Sequence, residues 1–479
     1  EDERLEHAAA VIPVVRSVLA RHPKIATPLL EVITARRNLD DWRAIAAARG
    51  LRVDGDSVLV EIRGDGRYGR LVAAHVESNG GRVRHQVVPS LVEAWLTPDA
   101  LETVAEHPDV HRVAPVRLVR FDAGSVLSEG VAVLNVENAA VDHDYHDLGA
   151  DGSGVVVANI DGGYASYAAL QASGDWPQTA VLRRFEVSGG GITDCDLATC
   201  AGYEASNHGA ATMEIVFDLA PGADYLTYAT TTIGDWYTAL VDAASRGADI
   251  VTESLSAPLD GIGDGTACPP IWGSPCGTIA EAAAQARSQG VLVVNSAANY
   301  GTEHWGGNFV DAGGGTLDWG SGGNLNLGDY CYPNGYLLSI DLFWDDWTAP
   351  VDHDYDLQLY ELRRSGAWRL RASSTFPQDG SAGQTPQEAI RYVVNGAMGA
   401  GGCPGGTGVF GILVERVGAV SDRNLQVFAN DWISVEHITE DRSLGFPADS
   451  PDVYTVGAVD VASPATVESY SSEGPVLGP

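Results

Sequence analysis

Asn207-His208-Gly209-Ala210-Ala211-Thr212-Met213-Glu214-Ile215-Val216-Phe217-Asp218-Leu219-Ala220-Pro221-Gly222-Ala223-Asp224 is the stretch on which the reading of this chain turns. A small, sharp turn carries one histidine into a helical run, and Ala-Pro-Gly-Ala halts that run. Upstream, Val155-Val156-Val157-Ala158-Asn159-Ile160-Asp161-Gly162-Gly163 reads as a buried parallel strand that ends on a carboxylate. Downstream, Gly290-Val291-Leu292-Val293-Val294-Asn295-Ser296-Ala297-Ala298-Asn299 reads as a second such strand, ending on an amide. A third spans Ala248 to Leu255, and helices are predicted at 208–219, 235–246 and 278–289. Strands alternating with helices predict a parallel α/β sheet with right-handed crossovers, whose functional loops lie at the carboxyl ends of the strands. Asp161, His208 and Asn299 are expected near that edge.

Composition sets the frame. The chain has 479 residues, too many for one core, so two to four domains are expected. A formal net charge of −35 argues against nucleic acid or an anionic membrane as a main partner. No apolar run is long enough for a membrane-spanning helix. Cysteines stand at 195, 200, 268, 276, 331 and 403. We read them as disulfides Cys195–Cys200, Cys268–Cys276 and Cys331–Cys403, against a zinc site whose expected spacing is absent. Disulfides favour an oxidising compartment, hence a secreted or cell-envelope protein. The record starts at Glu1 with no signal segment ahead of its first helix, which suggests processing or a fragment.

Taken in order, residues 1–50 suggest two or three short helices, broken near Pro13 and Pro28. Residues 51–122 carry a βαββαβ pattern, the order of a ferredoxin-like α+β module. Its second helix begins at Thr97-Pro98-Asp99, a cap residue followed by proline at the first helical position. The α/β part occupies 123–300. From 301 to 440 glycine, aspartate and tryptophan increase, and short alternating runs recur at Tyr336–Trp344, Tyr355–Glu361, Trp368–Ser374, Ile390–Val394 and Gly408–Arg416. Their spacing predicts a β-sandwich or jelly roll. Residues 441–479 return to the α/β style, so the β-domain is an insert.

Asp161, His208 and Asn299, in that order on α/β scaffolding, resemble the subtilisin-like serine proteases, or subtilases. Phe446 to Asp460 looks like the subtilase strand after the oxyanion asparagine. Ser469-Tyr470-Ser471-Ser472-Glu473-Gly474-Pro475 resembles the family's Phe-Ser-Ser-x-Gly-Pro turn. The resemblance implies a parallel sheet with helices on both faces and peptide hydrolysis through an acyl-enzyme. It makes His208 the base, Asp161 the group that holds it, and Asn299 the oxyanion donor. It makes Ser254-Leu255-Ser256 the edge that pairs with an extended peptide substrate. It also makes residues 51–122 a propeptide-like module, an intramolecular inhibitor. No cofactor is required.

The chain departs from the family pattern in four places. Asp161-Gly162-Gly163 stands for Asp-Thr-Gly or Asp-Ser-Gly, His208-Gly209-Ala210-Ala211 for His-Gly-Thr-His, and Ala298-Asn299 for Gly-Asn. The family's Gly-Thr-Ser-Met-Ala-x-Pro, which carries the nucleophile, occurs nowhere. Two readings follow: an endopeptidase whose serine lies outside this sequence, or an inactive pseudoprotease serving as a secreted binding scaffold. Within the insert, Trp344-Asp345-Asp346-Trp347 and Asp352-His353-Asp354-Tyr355-Asp356 offer either a structural calcium site or solvated turns. The tryptophans there are read as exposed, available to a carbohydrate or a protein.

Overall fold

Where the Asp161 strand sits decides everything else about the α/β part. In the computed structural model it is the central strand of a seven-stranded sheet. The residues described are 22–64, 69–117, 120–121, 134, 136, 145–178, 180–185, 192–194, 206–257, 259–320, 322–328, 330–397, 399–418, 421–430, 432 and 434–477. They fall into two compact units. One comprises Glu1–Val116, Pro269–Cys276 and Tyr300–Ser443; the other comprises Arg117–Cys268, Gly277–Asn299 and Leu444–Pro479.

In the second unit the sheet strands are β1 (Val156–Asp161), β2 (Val181–Phe185), β3 (Ile192–Asp194), β4 (Asp224–Ala229), β5 (Ile250–Glu253), β6 (Leu292–Ser296) and β7 (Tyr454–Val456). Their spatial order is β7-β6-β5-β1-β4-β2-β3. All neighbours are parallel except the β2–β3 hairpin. The helices are α1 (Tyr167–Ser173), α2 (His208–Leu219), α3 (Ile233–Ser245) and α4 (Ile279–Ser288). Each of the last three matches its predicted segment to within about two residues, the usual spread of helix ends. Thr232 caps α3 in a capping box with Asp235, and Thr278 caps α4 by accepting from the Glu281 N–H.

Register shows that helices cover both faces. Asn159 on β1 bonds Thr212 of α2. Glu253, which shares a face with its partner Ile160, accepts from the Trp236 indole of α3. Successive strand residues point to opposite faces, so α2 and α3 lie on opposite sides of the sheet.

The other unit is antiparallel β with helices. Ser57–Gly64, Gly69–Ser78, Arg82–Val88, Leu91–Leu96, Pro98–Ala105 and Val110–Pro115 follow one another as βαββαβ, with the 57–64 strand between 91–96 and 110–115. Helices Thr27–Arg37 and Trp42–Ala48 pack into the same apolar core. Pro28 opens the first of these helices and does not break it, because proline lacks only an N–H that the first turn leaves unpaired. The stretch around Pro13 lies outside the described residues.

The region 301–440 forms two four-stranded antiparallel sheets. One orders His304–Asn308, Asn424–Phe428, Leu337–Trp344 and Gln387–Val393; the other orders Asn326–Leu327, Phe410–Val417, Asp354–Leu362 and Trp368–Ser374. Their inner faces meet in one core that includes Trp344, Tyr355, Phe410 and Trp432. Trp344 and Trp347 are buried, which corrects the expectation of exposed tryptophans. For Trp344, at the end of the 337–344 strand, alternation is the same for an inner face as for an outer one, and only the second sheet decides which is covered. Within this unit the N-terminal module and the sandwich share contacts: Arg112 donates to Thr385, and Gly383 packs on His111.

Cys331 and Cys403 form a disulfide, and Cys268 and Cys276 each take part in one. Cys195 and Cys200 lie outside the described residues.

Candidate active site

Asp161 ends the central strand and is fully buried. The next two residues make a turn that only glycine can complete. Gly163 has φ +90°, and a Cβ there would stand 2.4 Å from Ser206 Cβ and 2.5 Å from its backbone. This close approach lets the turn cap α2. Gly209 N–H donates to the Gly162 carbonyl at 3.2 Å and Ala210 N–H to the Gly163 carbonyl at 3.1 Å. The His208 N–H donates to Ser206 Oγ at 3.2 Å. Three of the donors that a helix start leaves unpaired are thereby satisfied by the loops around Asp161. The first residue of α2 is fixed against the last residue of β1.

The result is a direct contact across 47 residues of sequence: His208 Nδ1 lies 2.5 Å from Asp161 Oδ1. The same carboxylate accepts from Gly162 N–H at 2.7 Å on Oδ1 and from the Thr212 hydroxyl at 3.0 Å on Oδ2. Burial pushes the Asp161 carboxyl above its ordinary value, against the pull of His208, the Gly162 N–H and Thr212. Nδ1 is the ring nitrogen that faces the carboxylate.

Asn299 follows β6. Ala298, before it, holds the left-handed conformation at φ +81°, the geometry a glycine would take without strain. The Ala298 carbonyl accepts from the Ser472 N–H at 2.9 Å, so the Ser-Ser-x-Gly-Pro segment braces the turn. Ser254 and Asn299 line one cavity of about 340 Å³ with Ala298, Gly457 and Tyr470. Leu255–Ser256 is a short strand, and it is paired: Arg120–Phe121 of the same chain runs antiparallel to it, Phe121 opposite Leu255 and Arg120 opposite Ser256. The segment singled out as a peptide-pairing edge thus holds an extended piece of this chain.

Sequence reasoning passed over Glu253. It is buried at the end of β5, its Oε1 accepts from the Trp236 indole at 2.7 Å, and its Oε2 has no hydrogen-bond partner. Burial pushes its carboxyl up to about 8, and the charge of Asp161 adds to this. Both effects favour the protonated acid. The one available signal was a glutamate within a buried, otherwise apolar strand, a place where ionised carboxylates are rarely found.

In the acidic run of the β-insert, Asp346, Asp352 and His353 bring one ligand atom each to within 4.8 Å of one another. Asp346 Oδ2 accepts from the Asp352 and His353 N–H groups at 3.0 and 3.2 Å, and Asp346 Oδ1 accepts from Arg423 at 3.3 Å. Among the described residues no helix is long and apolar enough to cross a membrane.

No protein-family model matches the chain, and no curated protein matches it in sequence. Among solved structures it is similar to the CspB protease of Clostridium perfringens, at 15 % identity and a TM-score of 0.41, over 70 % of this chain and 75 % of that one. It is also similar to the epidermin leader peptide processing serine protease EpiP of Staphylococcus aureus, at 12 % identity and a TM-score of 0.32. That match covers 52 % of this chain and 62 % of EpiP. These structural neighbours are proteases.

Proposed function

We propose that this chain is the greater part of a secreted, subtilisin-like serine endopeptidase, with the nucleophilic serine supplied by sequence outside residues 1–479. The observation that carries the reading is the buried 2.5 Å contact of His208 Nδ1 with Asp161 Oδ1 at the carboxyl edge of a parallel sheet. In this reading His208 Nε2 takes the serine proton as Oγ attacks the scissile carbonyl, then returns it to the leaving amine. Asp161 fixes the tautomer and stabilises the imidazolium. The Asn299 amide donates to the tetrahedral oxyanion, a contribution of roughly 3–4 kcal/mol in comparable sites. Substrate lies along Leu255–Ser256 as an added strand, in the place that Arg120–Phe121 takes within this chain. On the same reading residues 51–122 are the inhibitory propeptide.

A place for further chain supports the position of the serine. Leu292, Tyr454 and Val456 share the sheet face on which α2 packs and are between about half and two-thirds exposed. Apolar strand faces of this kind are ordinarily covered. The test is the extended protein carrying a Gly-Thr-Ser segment after Pro479. Peptide cleavage should appear and should vanish, by at least about 10⁴-fold, in His208→Ala; undiminished turnover in that variant would refute the assignment. The strand pairing at 255–256 also favours a second reading, a pseudoprotease scaffold, since added-strand binding needs no nucleophile. Peptide binding without turnover in the extended protein would select it.

A further inference from the structure

We propose that Thr212 is a positioning residue for the Asp161–His208 pair, and that Asn159 and Tyr164 aim its proton. The inference rests on the reading of those two residues as a catalytic pair. Thr212 stands four residues after His208 on α2, so the two side chains lie one turn apart on one face of the helix. They divide the carboxylate between them: His208 Nδ1 meets Oδ1 at 2.5 Å, and Thr212 Oγ1 meets Oδ2 at 3.0 Å. No hydroxyl-bearing residue follows Asp161 directly, where Gly162 and Gly163 stand. The helix supplies one from the opposite side.

A threonine hydroxyl has one proton, and here two acceptors are in reach: Asp161 Oδ2 at 3.0 Å and the Gly209 carbonyl at 3.2 Å. The carboxylate is the stronger acceptor because it carries charge. A relay behind Thr212 reinforces the choice. The Tyr164 hydroxyl donates to Asn159 Oδ1 at 2.5 Å, which turns the amide so that Nδ2 donates to Thr212 Oγ1 at 3.3 Å. With a lone pair of Oγ1 so engaged, the Thr212 proton points to Oδ2. Every donor in the series Tyr164, Asn159, Thr212 runs the same way and ends on Asp161. Tyr164 and Asn159 are buried, and in that setting a fully satisfied polar series holds one geometry.

The base of the relay is also rigid. The Tyr164 ring packs where a Cβ on Gly209 would stand, 2.6 Å from the ring, and meets Trp176 edge-on at 5.7 Å. One phenol therefore braces the first turn of α2 and begins the relay. Without the Thr212 bond the carboxylate is held at Oδ1 alone, by the Gly162 N–H and His208, and its rotation about the Cβ–Cγ bond is less restrained.

The test is selective ¹⁵N-histidine NMR of the full 479-residue chain, following the hydrogen-bonded Hδ1 resonance identified by its loss in His208→Gln. Thr212→Val keeps the side-chain shape; it should broaden that resonance into exchange with water and shift the His208 titration, while Thr212→Ser restores both. Tyr164→Phe should give a smaller change of the same sign, and it supplies the test if the valine variant does not fold. In the extended, serine-bearing protein Thr212→Val should lower kcat about tenfold with KM unchanged. A wild-type resonance that is unaltered by Thr212→Val, or by Tyr164→Phe where that variant is the test, overturns the positioning role and leaves the pair standing. Absence of any protected Hδ1 resonance in the wild type overturns the pair, and this inference with it.

Discussion

Glu253→Gln should make stability less sensitive to the rise from about pH 4 to about pH 8. The side chain is buried, and burial with the neighbouring Asp161 charge puts its carboxyl at about 8 in the folded state, against about 4.3 when unfolded. Between those values the folded chain holds a proton that the unfolded chain releases, so stability falls as pH rises. The contribution is intact below about pH 4 and is lost as pH passes through about 8. At about 1.4 kcal/mol per pH unit, the loss over the window comes to about 5 kcal/mol. Glutamine has the same shape and no charge, and its oxygen can still accept from Trp236. Its amide nitrogen would replace the partnerless Oε2, leaving a donor unsatisfied at a cost of about 1–3 kcal/mol. The variant should therefore be no more stable than wild type at pH 5 and more stable by about 2–4 kcal/mol at pH 9. Urea unfolding followed by tryptophan fluorescence at pH 5, 7 and 9 measures this. The two stability curves must cross. Parallel curves would mean that Glu253 does not hold its proton in the folded chain.

Two further substitutions probe the turns that hold the site. Ala298→Gly should raise stability by about 1 kcal/mol, because a left-handed alanine is strained by about 1–2 kcal/mol and the glycine loses part of that gain in unfolded-state entropy; an unchanged or lower midpoint in thermal unfolding would contradict it. Gly163→Ala should destabilise by more than about 2 kcal/mol, since it combines a positive φ with a Cβ 2.4 Å from Ser206. Denaturant titration would show this, and a loss under 0.5 kcal/mol would mean that the turn can relax away from Ser206 at little cost.

The elements around the site were legible in sequence to different degrees. Helix α2 was read at 208–219 because its start and stop are local: a turn precedes it, and Ala-Pro-Gly-Ala ends it. Asp161 at a strand end was legible for the same reason, as a carboxylate after an apolar run. Five of the eight strands in the two sheets of the β-insert were legible from alternation; His304–Asn308, Asn326–Leu327 and Asn424–Phe428 were not. Pro28 was misjudged as a breaker because its effect depends on whether it falls in the first turn or later. Trp344 was misjudged because alternation does not say which face is covered.

The sequence by itself determined residue types, the strands and helices with the strongest local signals, and the order of acid, base and amide along the chain. These follow from near-neighbour chemistry, which acts within a few residues. Only the tertiary structure decided that Asp161 and His208 touch, that Thr212 holds the far oxygen of the same carboxylate, and that Glu253 keeps its proton. It also decided that the N-terminal module and the β-sandwich belong to one compact unit. Each of these depends on strand register and on which faces are buried together. Those are set by packing between segments tens of residues apart or more, where the pattern of any single segment is silent.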